Sequence, residues 1–96
     1  MSSVDRNCLR VLRTSASNYS LLLSATLTET RPWASALFVG HRLTIAVHGK
    51  NDALLDDWLI ALPDIELTWA GHFVASVEVI ERSANAATIE LLAVEA

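Results

Sequence analysis

Apolar and polar residues alternate along much of the chain, and each change of period marks a change of predicted element. From Tyr19 to Thr28, Tyr19, Leu21, Leu23, Ala25 and Leu27 interleave with Ser20, Leu22, Ser24, Thr26 and Thr28, the period of two of a half-buried strand. Leu43, Ile45 and Val47 repeat that period between Arg42 and His48, predicting a second strand ended by Gly49. Between the two, Arg31-Pro32 interrupts the pattern. Trp33 to Val39 is then apolar without a period, which suits a packed loop or the start of a long strand bulged at Gly40.

From Ala53 to Leu62 the period becomes helical. Leu54, Leu55, Trp58, Leu59 and Leu62 fill an arc of about 140° at 100° per residue, a core-facing stripe, with Asn51 or Asp52 as N-cap. Asp56 and Asp57 lie opposite, near the positive end of the dipole, and Ile60 stands apolar on that polar face. Pro63-Asp64 stops the helix. Ile65, Leu67 and Trp69 then alternate with Glu66 and Thr68, predicting a third strand that ends at Ala70-Gly71.

The last 24 residues read as a hairpin whose register the side chains select. With Ser83, Ala84 and Asn85 as a three-residue loop and Asn85 in the left-handed conformation, Val79 faces Ile89, Val77 faces Leu91 and Ala75 faces Ala93, on one face with Phe73. A slip by one residue would set Val79 against Glu90 and Glu78 against Leu91, so the pattern opposes it. The other face carries Val74, Ser76, Glu78 and Ile80 beside Thr88, Glu90, Leu92 and Val94, and is half apolar.

At the N-terminus, Val4, Cys8, Val11 and Leu12 fall at helical spacing with Arg6, Arg10 and Arg13 opposite. A short strand through Leu9 and Val11 fits nearly as well, and residues 1–17 also read as a flexible or peripheral segment. The order strand, strand, helix, strand, strand, strand predicts a single α+β domain over residues 1–96: a mainly antiparallel sheet of about five strands with the helix 53–62 on one face.

Composition adds an expectation about assembly. A domain of 96 residues hides only about 60–65% of the surface of its extended chain, yet 52% of this sequence is hydrophobic. The surplus is best placed in a shared interface, most simply a two-fold homodimer. One helix cannot cover both sides of the sheet, so Ile80, Leu92 and Val94 on the second face, with Ile60 elsewhere, are the expected interface residues.

The net charge of −4 argues against a nucleic-acid binder, whose affinity rests on Lys and Arg. The charge is polarised: residues 1–50 carry six basic and two acidic side chains, a balance of +4, and residues 51–96 one basic and nine acidic, a balance of −8. Pairing between the halves is the expected use, including for the Arg6, Arg10 and Arg13 stripe. No apolar run approaches the roughly 20 residues of a membrane-spanning helix. The single Cys8 forms no internal disulfide and the first twenty residues lack the apolar stretch of a secretory signal, so a reducing cytoplasm is expected.

Chemistry-bearing constellations are sparse. His41 and His48 sit seven apart, about 23 Å along one strand and on opposite faces, and no zinc spacing, nucleophile elbow or glycine-rich phosphate loop is present. No catalytic, metal or cofactor assignment follows. Four residues are candidates for ligand binding. Glu78 and Glu90 are set opposite each other by the chosen register, where like charges repel and invite a cation or a proton. His72 follows Gly71 in isolation, and Trp33 after Pro32 is free to anchor a partner. Trp58 and Trp69 read as core. A homo-oligomeric interaction module is therefore preferred, with a small-molecule or metal-binding domain or enzyme, its pocket at a subunit junction, as the alternative.

Overall fold

A computed structural model describes residues 2–96. Its elements run α1 (Ser3–Ser17), β1 (Leu23–Ala34), β2 (Val39–Gly49), α2 (Asp52–Ala61), a 3-10 turn (Leu62–Asp64), β3 (Thr68–Trp69), β4 (His72–Ser83) and β5 (Ala86–Glu95). The strands form one antiparallel sheet in the order β1-β2-β5-β4-β3. The α+β class is as the sequence implies, but the chain begins with a full helix rather than a short uncertain element.

The N-terminal helix forms because Ser2 caps it, its Oγ accepting from the Asp5 N–H at 3.2 Å, and because Cys8, Leu9, Leu12, Ser15 and Ala16 make one buried stripe. It closes in a Schellman-type turn: Leu21 N–H donates to the Ala16 carbonyl, Ser20 N–H to that of Ser17, and Ser20 takes a φ of 59°. The reversal buries Leu21 and exposes Leu22. The alternation from Tyr19 thus starts in a turn, with the ladder itself beginning at Leu23.

Both helices cover the same face of the sheet. Leu12 and Ala16 of α1 and Leu55, Trp58 and Leu59 of α2 join Leu43, Ile45 and Val47 of β2 and Ile89, Leu91 and Ala93 of β5 in one core. Trp58 is wholly buried, and its Nε1 donates to Ser15 Oγ at 3.0 Å, tying the helices together across the core.

Three irregularities redirect side chains. An extra residue between Leu27 and Glu29 reverses the parity of β1, so Ala25 and Leu27 face the helices whereas Glu29, Arg31 and Trp33 point away from them. Pro32 is tolerated because β1 is an edge strand. On β4 the pairs Val79–Ile89, Glu78–Glu90 and Val77–Leu91 stand in the expected register. The loop, however, has two residues, Ala84 and Asn85, between the paired Ser83 and Ala86, and a bulge at Ile80 absorbs the difference. A second bulge at Ala75 sets Val74 opposite Ala93 and Phe73 opposite Val94. Phe73 therefore leaves the helix-covered face, and Val74 joins the core. The expected strand 65–70 contracts to Thr68–Trp69, since Leu62–Asp64 continue the helix as a tight turn.

Candidate functional site

The face of the sheet turned away from the helices has no covering element among the described residues. Pairing across β1, β2, β5 and β4 arranges it in five rows. The first is Ser24, His48, Ala86 and Ser83, and the second Thr26, Ala46, Thr88 and Glu81. The third is acidic: Glu29, Thr44, Glu90 and Glu78. Arg31, Arg42, Leu92 and Ser76 form the fourth, and Trp33, Gly40, Val94 and Phe73 the fifth.

The short side chains of Ser24, Thr26, Ala46, Ala86 and Thr88 in the first two rows leave a trough of about 520 Å³, bordered by His48 and Glu81. At the opposite end the β1–β2 loop folds over the fifth row, and the Phe38 ring meets Phe73 edge-on, with centroids 6.4 Å apart and planes at 88°. A Cβ at Gly40 would collide with the Ala93 carbonyl oxygen, so β2 and β5 approach closely beneath this aromatic cap. Leu37 projects into solvent at 86% exposure, and Phe38 and Val39 are about half exposed.

The candidate residues divide between the two faces. Glu78 and Glu90 do face each other, but arginines answer the repulsion at Glu90. Arg42 Nη1 lies 3.4 Å from it and Arg31 Nη2 3.8 Å, with Arg31 also 3.5 Å from Glu29. The two pairs to Glu90 join the basic first half of the chain to the acidic second half, whereas Arg31–Glu29 stays within the first half, Arg10 of α1 binds Asn7 and Arg82 binds Asp52 and Asp56 within the second half. Trp33 shares this face, two rows from Glu90 on the edge strand. His72 does not: it pairs with Glu95 on the helix-covered side and stacks on Trp69, centroids 5.7 Å apart and planes at 17°. Glu78, Glu90 and His72 therefore do not converge on one ligand.

The expected interface residues are equally divided. Leu92 and Val94 lie on the open face but are already buried within one chain, at 8% and 2% exposure. The register explains this: Arg42 flanks Leu92 and Phe73 flanks Val94, so an arginine stem and an aromatic ring cover them. Ile60 at 70% exposure lies on the other side of the molecule, where with Asp56, Leu59, Val79 and Arg82 it lines a hollow of about 180 Å³. Ile80 is exposed at the β4 bulge.

Four buried ring nitrogens lack a partner: His41 Nδ1, Trp69 Nε1 and both nitrogens of His72. Among the described residues no group of three or more His, Cys, Asp or Glu could hold a metal ion. Cys8 is sealed in the core, and burial, with Asp5 nearby, pushes its thiol up to about 12.

The trough and the aromatic tip were not legible as a site. Ser24, Thr26, Ala46, Ala86 and Thr88 read only as the polar or small positions of strands, and the apolar run Trp33–Val39 had no period to place it. No described helix is long and apolar enough to cross a membrane. Compared with known proteins, the sequence matches no family model and no curated relative.

Proposed function

We propose that this protein is a cytoplasmic protein-interaction module that works as a homodimer, with the open face of its sheet as the joining surface. The observation that carries this reading is the placement of both helices on one side of the sheet, which leaves the other side without a covering element though it bears Trp33 and Phe73. Sheets of this kind are stably two-layered when the uncovered face is polar. Here about a third of the face is apolar, with Trp33 and Phe73 gathered at one end, and its central ion pairs, partly shielded from water, are a source of specificity rather than of stability. The basic stripe of α1 lies elsewhere, which with a net charge of −4 keeps nucleic acid out of this reading.

Sedimentation velocity across a hundredfold concentration range, with three chains, tests the proposal. Wild type is expected as a dimer. Thr88→Arg, which drives a charge into the trough of the open face, is expected to be a monomer with an unchanged circular dichroism spectrum, and Ile60→Arg to remain a dimer. A monomeric wild type, or dimers abolished by Ile60→Arg alone, would overturn it. Native mass spectrometry of the same samples addresses the alternative: a stoichiometric small-molecule adduct lost in Thr88→Arg would instead make the trough a ligand site.

A further inference from the structure

The open face is built to pair with a copy of itself in one orientation, an inference that rests on the homodimer reading above. Its two ends are complementary in shape: a trough floored by Ala46, Ala86 and Thr88 at one end, and the projecting Leu37–Val39 tip at the other. Its middle is complementary in charge, because the row holding Glu29 and Glu90 lies beside the row holding Arg31 and Arg42.

A two-fold axis running across the strands, between those two rows, satisfies both relations together. Rotation by 180° lays each acidic row against the partner's basic row, and seats each Leu37–Val39 tip in the partner's trough. An axis along the strands does neither. It would lay every row on itself, bringing Glu29 of one chain over Glu78 of the other, trough against trough, at a cost in like-charge repulsion. The surface is also of the right order of size. Four strands spaced about 4.8 Å apart and ten residues long present about 600 Å² in projection, before side-chain relief and the added tip, against about 800 Å² per partner in a standard interface.

We infer that two copies of this chain join face to face with their β1–β2 tips exchanged, each filling the trough between β2 and β5 of the other. Within one chain the tip and the trough are separated by the length of β2, since Gly40 and Ala46 on that strand are six residues apart, about 20 Å. Contact between them is therefore diagnostic of the partner.

A short bismaleimide cross-linker applied to Leu37→Cys/Ala86→Cys, with buried Cys8 left in place, reads this directly on a denaturing gel. The double variant is expected to give a covalent dimer in high yield, and each single variant almost none. Cross-linking of Leu37→Cys alone would place the tips against each other and overturn the arrangement. A double variant that sediments as a dimer yet fails to cross-link would overturn the tip exchange while leaving the open-face dimer standing. A wild type that sediments as a monomer would remove both. Ala86→Arg, which fills the trough without touching the ion pairs, is expected to weaken the dimer at least tenfold, and an unweakened dimer would contradict the seating.

Discussion

His72 is the residue least reconciled with its surroundings. Both ring nitrogens are buried without a partner, while the flat of the ring is held against Trp69. A buried polar atom left unpaired costs about 1–3 kcal/mol, and an apolar group of the same shape escapes that cost. His72→Phe keeps an aromatic ring for the stack and discards both nitrogens, so it is expected to raise stability by about 1 kcal/mol, read as a higher urea midpoint at unchanged slope. A fall of the midpoint would show that the imidazole is hydrogen-bonded in solution. The isolated His72 of the sequence suggested a ligand-binding residue. What the sequence could not supply was the neighbour: Trp69 reaches it only because Gly71, with a φ of 80°, turns the chain back on itself.

At the scale of elements, the Asp52 carboxylate fastens the β4–β5 turn to the start of α2. Asp52 accepts from the Asn85 N–H at 2.7 Å and from Arg82 at 3.0 Å, and these two interactions, the backbone one first, hold its carboxyl below the ordinary aspartate range. A folded-state pKa below the unfolded one stabilises the fold above the ordinary value of about 3.9 and loses that contribution as pH falls through the lower folded value. Asp52→Asn should therefore be less stable than wild type at pH 7, with the gap closing below about pH 4, as chemical denaturation at a series of pH values would reveal. A gap independent of pH would mean the turn is held by shape alone. Elements of this kind were legible where periodicity ran unbroken: the stripe Leu55, Trp58, Leu59 fixed the buried side of α2, and Val77 to Val79 fixed the hairpin register. They were illegible beyond each bulge, because one unpaired residue inverts every later side chain without altering the alternation itself. Trp33, Phe73 and Val74 each fell on the face opposite to a simple count for that reason. The same inversions assembled the open face, gathering Trp33 and Phe73 at one end of it, so the candidate surface lay beyond pattern reading even though its individual strands did not.

For the whole molecule, the proposed homodimer implies that stability is coupled to assembly. Leu92 and Val94 are buried within one chain, so a lysine at either position would unfold the subunit and report on the core rather than on association. Thr88, in the trough of the open face and away from the core, separates the two effects. If the native state is a dimer and the unfolded state is not, mass action makes stability depend on concentration. Each tenfold increase in protein adds about 1.4 kcal/mol per dimer. Unfolding two chains of 96 residues releases about 0.4 kcal/mol/K of entropy at about 2.1 cal/mol/K per residue, so Tm should rise about 3–4 °C per tenfold increase. Thr88→Arg should lose that slope and melt at one temperature at every concentration. Differential scanning calorimetry on both chains decides the matter: a wild-type Tm that does not move with concentration would mean that the subunit is stable alone with its sheet face in water, and parallel slopes in the two chains would move the interface off the trough of that face.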